Sequence, residues 1–186
     1  MGIESEMKRL NATPLQKRID PSESRVRQLE SSIGVAFPSS YREFLSKFGR
    51  YSVNAEIACK TLPGAYISYF YGFPDDDDAQ LNPDCELNEL NLAPTAITIG
   101  SDDWGNQIVM FLDDGLHGRV YVYEHDGGAD FRDDPHWQRS GLSWGDLQQY
   151  DESDSKPPPF ANLHYVAPDF LSFLQSLTSN AGADSA

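Results

Sequence analysis

Many signatures of common protein chemistry are missing from this 186-residue chain. No apolar run approaches the roughly 20 residues of a membrane-spanning helix. The first residues, Met1-Gly-Ile-Glu-Ser-Glu-Met-Lys8, mix charges and lack the apolar stretch of a secretory leader. Glu6 stands where a myristoylation signal wants Ser or Thr. Only two cysteines occur, Cys59 and Cys85, which fits a reduced, cytoplasmic pair of packing residues better than a disulfide framework. There is no phosphate loop and no Gly-x-Gly-x-x-Gly turn, so no cofactor is expected. Ser143-Trp-Gly lacks the preceding glycine of a nucleophile elbow. The four histidines, His117, His125, His136 and His164, have no zinc-ligand spacing on one element. No internal repeat is visible.

Positive charge is scarce in one part only. Residues 1–50 hold nine Lys/Arg against six Asp/Glu, a balance of +3. Residues 51–186 hold five against twenty-three, a balance of −18 within a net charge of −15. Such a field repels nucleic acid and anionic lipid and attracts basic proteins or divalent cations. It also serves solubility by itself. Direct nucleic-acid binding is the function class that this charge excludes most firmly.

What is present is ordinary apolar content, plentiful aromatics and a readable order of elements. Residues 1–20 are polar without clear periodicity and read as an extension or loose arm. One domain over 21–178 follows, with a long loop or insertion at 126–160, and 179–186 read as a frayed tail. Val26, Leu29 and Ile33 make a helical stripe that Gly34 closes. After Phe37-Pro38, a second stripe of Tyr41, Phe44, Leu45 and Phe48 predicts a helix ended by Gly49, with Ser40 and Glu43 at capping-box spacing. The β-rich stretch Ala65–Tyr71 predicts a strand. Thr95–Ile99, Gln107–Leu112 and Arg119–Glu124, joined by Gly/Asp turns, predict an antiparallel meander. Near the end, Pro168 and Asp169 suit a first helical turn, with Phe170, Leu171, Leu174 and Leu177 on one face. The fold class is therefore α+β: a largely antiparallel sheet with packed N-terminal helices and a C-terminal helix.

Acidic groups are the natural candidates for chemistry. Asp102 and Asp103 sit in one turn of the meander and Asp113 and Asp114 in the next, at opposite ends of the shared strand. They should not meet, and neither turn has the ligand pattern of a calcium loop. Tight turns select Asp and Gly in any case. His125 beside Asp126, with His136 near Asp133 and Asp134, could line an acidic pocket, the basis of a minor metal-dependent hydrolase reading. Tyr66, Tyr69, Phe70, Tyr71 and Phe73 crowd one strand and its exit; one face must pack on helices, and the other is either covered or an interface patch.

Five segments in order resemble the SUKH superfamily, the Smi/Knr-like proteins. They are Leu29-Glu-x-x-Ile-Gly34, then Phe37-Pro-x-x-Tyr-x-x-Phe-Leu45, then Ile99-Gly-x-Asp-x-x-Gly-Asn106. Arg119-Val-Tyr-Val-Tyr-Glu-His-Asp126 and Val166-Ala-Pro-Asp-Phe170 with Leu171 and Leu174 complete the series. Trp104 stands where the family often has glycine, and the insertion is longer than usual. The resemblance implies a non-enzymatic, protein-binding domain. In bacteria it implies an immunity role, binding and neutralising a polymorphic toxin that is frequently a nuclease. In the fungal branch it implies a regulatory or scaffold module. On the immunity reading the partner is a basic toxin domain. Its candidate contacts are Asp75, Asp76, Asp77, Asp78, Asp102, Asp103, Asp113, Asp114, Asp133 and Asp134, with Tyr69, Tyr71 and Trp104 as aromatic anchors.

Overall fold

The computed structural model describes residues 2–15, 22–73, 96–112, 115–125 and 163–180. Two helices arise where the apolar stripes predict them. The first is α2, Glu23–Ile33, capped by the Ser22 hydroxyl, which accepts from the Arg25 amide; Gly34 donates back to the Glu30 carbonyl. The second is α3, Ser39–Lys47, which buries Tyr41, Phe44 and Leu45. No side-chain cap forms at its start, so the Ser40/Glu43 capping box does not hold: Pro38 is the cap residue, with no hydroxyl to offer. Arg42 ties the two helices by pairing with both Glu23 and Glu30 of α2, at 2.5 Å for Glu30.

The sheet runs β1 (Thr13–Pro14), β2 (Tyr51–Ile57), β3 (Tyr66–Phe70), β4 (Ala96–Ser101), β5 (Gln107–Phe111), β6 (Val120–Tyr123), β7 (Leu163–Ala167). Every pairing is antiparallel, and an eighth strand, β8 (Leu177–Ser179), adds to the free stretch of β2 beside β1. The predicted meander is β4–β5–β6. Where β3 meets β4 the two backbones nearly touch. A Cβ on Gly100 would lie 2.4 Å from the Tyr69 carbonyl oxygen, so only glycine fits beside this bulge.

Alternation along the strands decides the packing. Ile108, Met110, Val120 and Val122 face the helices together with Ile67, Phe70, Ile97 and Ile99. Phe44 lies at the centre of that core, its ring 5.0 Å from Phe170 and 5.4 Å from Phe70. Val109, Phe111, Tyr121 and Tyr123 alternate to the opposite face and are buried there too, Phe111 edge-on to Tyr121 at 5.0 Å.

Residues 2–15 are not a loose arm. They form α1, Ile3–Arg9, and then β1; Ile3, Met7 and Leu10 are all but fully buried in the core. Arg9 fastens the segment to the far end of the chain. Its guanidinium donates to Glu6 Oε2 at 2.6 Å and to the carbonyls of Leu174 and Leu177 at 2.7 and 2.9 Å. Those carbonyls lie at the C-terminal end of α4, Phe170–Ser176, where the helix dipole makes a cation favourable. Asp169 is the N-cap of α4, accepting from the Ser172 amide at 2.9 Å, so Pro168 precedes the helix instead of opening it. Leu177, expected on the helical face, instead starts β8 opposite Ile57, and it is buried all the same. Ser179 belongs to β8, and Asn180 still donates to the Asn54 carbonyl at 2.9 Å; residues 181–186 of the expected tail, and 126–160, lie outside the described residues.

The sheet rolls far enough for β7 to meet the connection between β2 and β3. The His164 imidazole of β7 lies 3.0 Å from the Thr61 hydroxyl in the β2–β3 connection. The Cys59 thiol, a buried free cysteine, reaches the Tyr165 carbonyl at 3.7 Å.

Candidate interaction site

Antiparallel pairing brings the β2–β3 connection, the β4–β5 turn, the exit of β6 and the entry of β7 to one end of the sheet. The β4–β5 turn, residues 102–106, is built around a carboxylate. Asp102 is 5% exposed; its Oδ1 accepts from the amides of Trp104 (2.8 Å) and Asn106 (2.9 Å), and its Oδ2 from Asn106 Nδ2 at 2.6 Å. This is an Asx turn in which the side chain replaces a backbone acceptor. Asn106 passes the restraint on, its Oδ1 accepting from the His125 amide at 2.8 Å. Gly105 has φ +100°, a left-handed conformation that suits glycine, and a Cβ there would lie 3.3 Å from the His125 ring. Asp102 is thus a part of the turn, with both oxygens turned inward.

Asp103 and Trp104 are what this scaffold displays. Asp103 is exposed, and its Oδ2 accepts from the Ser68 hydroxyl of β3 at 2.8 Å. The neighbouring Asp103 carboxylate, through hydrogen bonding and then its negative charge, and burial after these, push the Tyr69 phenol above its usual range, while Arg50 acts in the opposite sense. Burial, then the charges of Asp102 and Asp103, do the same to Tyr66. Among the described residues, Trp104 is the one large apolar side chain that is exposed, at 73%.

The other candidates fall elsewhere. Tyr71 is half-buried at the opposite end of β3, its amide bonded to the Ile99 carbonyl at 2.9 Å. Asp75, Asp76, Asp77, Asp78, Asp113, Asp114, Asp133 and Asp134 lie outside the described residues, as do Asp126 and His136. Among the described residues, no three His, Cys, Asp or Glu side chains gather as a metal-binding group. None of the described helices is long and apolar enough to cross a membrane.

One group at this end escaped sequence reasoning. His164 is buried, with Nδ1 on Thr61 and Nε2 3.4 Å from Glu124 Oε2. Burial lowers its pKa against the opposing pull of Glu124. Both ring nitrogens are engaged, so the imidazole clasps β7 to the β2–β3 connection and to the exit of β6. Residues 61, 124 and 164 have no common spacing, and only the roll of the sheet unites them.

Helices on one face of a rolled, wholly antiparallel sheet, with a turn displaying an indole and a carboxylate at one end, define an α+β protein built around its loops. The sequence model of the SMI1/KNR4 family (SUKH-1) matches residues 20–176, and the chain belongs to that family. No curated protein matches it significantly.

Proposed function

We propose that this protein is a non-enzymatic, cytoplasmic binding domain, an immunity protein that neutralises a cognate toxin through its acidic, aromatic-bearing surface. The observation that carries the reading is the β4–β5 turn. A braced loop presents Trp104 at 73% exposure beside exposed Asp103, in a member of the SMI1/KNR4 family. An exposed tryptophan on a rigid support is the kind of anchor around which binding hot spots form. The balance of −18 over residues 51–186 supports a basic partner, and a nuclease domain that binds polyanions fits that description. Charge of this kind accelerates encounter more than it tightens the complex, which is what a toxin antidote requires. Asp103 and Trp104 would make direct contacts, while Asp102 would act by holding the turn.

The test is capture of the product of the adjacent gene by the purified protein, followed by association kinetics at low and high salt. The expected result is a tight complex whose association rate falls steeply with salt, and in which Trp104→Ala raises the dissociation rate. A complex indifferent to both salt and Trp104 would overturn the mechanism. A cell-wall or signalling protein captured in place of a toxin would move the assignment to a regulatory module.

A further inference from the structure

We propose that the β4–β5 turn receives an arginine side chain of the partner, with the guanidinium stacked on the Trp104 indole and paired with the Asp103 carboxylate. This rests on the protein-binding reading above and names the chemistry of its central contact. Trp104 and Asp103 are consecutive and both exposed on the same short turn, so a partner side chain that reaches the turn meets an indole and a carboxylate together. A lone exposed indole offers little area to an apolar partner. Beside a carboxylate its negative ring face becomes one half of a cation site.

Three further observations point the same way. Among the described residues no cation pairs with Asp103, whereas Glu6, Glu23, Glu30 and Glu43 each have Arg or Lys against them. The Asp103 carboxylate is also held in place by the Ser68 hydroxyl at 2.8 Å, so less freedom is lost when a ligand arrives. Finally, the backbone beneath both residues is fixed by Asp102 and, through Asn106, by His125. A guanidinium suits this geometry better than an ammonium, because it is flat enough to stack and has a fork of donors for the carboxylate.

The test needs no knowledge of the partner. Capped Gly-Gly-Arg-Gly-Gly, its lysine counterpart and its uncharged citrulline counterpart are titrated into the full chain at low salt. The readout is the indole N–H resonance of Trp104, assigned by Trp104→Phe. A saturable shift is expected with the arginine peptide, several-fold weaker binding with lysine, and about fivefold to twentyfold weaker binding with citrulline. Asp103→Asn and Trp104→Leu, both at exposed positions, should each weaken arginine binding about twofold to fivefold, followed in these variants by the backbone amide resonances of residues 102–106, which both substitutions leave in place. Equal binding of arginine and citrulline would overturn the proposal. So would shifts spread over the acidic surface without preference for Trp104, or a site that survives both substitutions. Failure here alongside capture of a toxin would remove only the arginine contact; a working arginine site without a toxin partner would remove only the immunity reading.

Discussion

Replacing Arg9 by methionine tests whether the first residues belong to the fold. Methionine keeps much of the aliphatic stem, so the change removes the guanidinium and little packing. Three hydrogen bonds vanish: those to Glu6, Leu174 and Leu177, at 2.6, 2.7 and 2.9 Å. The Arg9 side chain is 40% exposed, so its own loss is softened by water. The Glu6 side chain is not softened in this way, since at 2% exposure it would be left as a buried charge without its partner. Breaking a buried pair from one side costs about 3–5 kcal/mol, and the exposure of Arg9 places the expectation near the lower figure, about 3 kcal/mol. For a chain of this size that lowers the melting temperature by about 6–12 °C. The assay is urea unfolding of the wild type, Arg9→Met, Glu6→Gln and the double variant. Because Glu6→Gln removes the stranded charge, the double variant should be more stable than Arg9→Met alone, by about 1–2 kcal/mol. A loss under about 0.5 kcal/mol for Arg9→Met, or strict additivity, would refute the reasoning and return residues 2–15 to the status of an arm.

Other expectations concern single groups. The Tyr41 hydroxyl is buried with no hydrogen-bond partner among the described residues, and burial drives its pKa well up; Tyr41→Phe should therefore be neutral or stabilise by about 1 kcal/mol in urea unfolding, and clear destabilisation would show an unrecognised partner. Asp102→Ala should cost at least about 2 kcal/mol and change the Trp104 fluorescence, whereas Asp103→Ala should cost about 1 kcal/mol or less; the reverse order would overturn the division between turn-builder and displayed residue. The His164 pKa is lowered in the folded state, so over the affected range the unfolded chain binds the proton more readily. The stability contribution is thus complete above the unfolded pKa of about 6.5 and is lost as pH falls below it. Unfolding midpoints of wild type and His164→Asn across that range should diverge with this sign, and a flat or inverted difference would refute it.

The parts of the fold with local signals could be read from the sequence. Val26, Leu29 and Ile33 carry α2, and the Gly/Asp turns between β-branched runs carry the β4–β5–β6 meander. What was hidden depends on distance along the chain. Seven-residue α1 and its C-cap show an apolar face in only three residues, Ile3, Met7 and Leu10 at i, i+4, i+7, a signal easily lost in a polar stretch, and Arg9 finds its acceptors 165 and 168 residues away. Strand β2 is the exception: Tyr51, Val53, Ala55 and Ile57 alternate with Ser52, Asn54 and Glu56, a legible period-2 signal that the predicted elements omit, whereas β8 is three residues that become strand only because β2 has an open edge there. At the candidate site Trp104 was visible as the departure from a glycine-rich turn, and Asp103 as part of an acidic pair. That Asp102 turns inward while Asp103 turns outward was not visible, because adjacent identical residues have the same composition and differ only in what the turn requires of each.

The placement of β8 has a consequence for synthesis. Strand β2 ends at Ile57, but the strand that covers its free edge begins at Leu177. At translation rates of about 5–20 residues per second, the intervening chain takes roughly 6–24 s to emerge. Throughout that interval the nascent chain presents Ala55 and Ile57 on an unpaired edge, the arrangement most prone to pair with a neighbouring chain on the same polysome. On this ordering, slow codons between β2 and β8 would lengthen the exposure of that edge, and fast ones would shorten it.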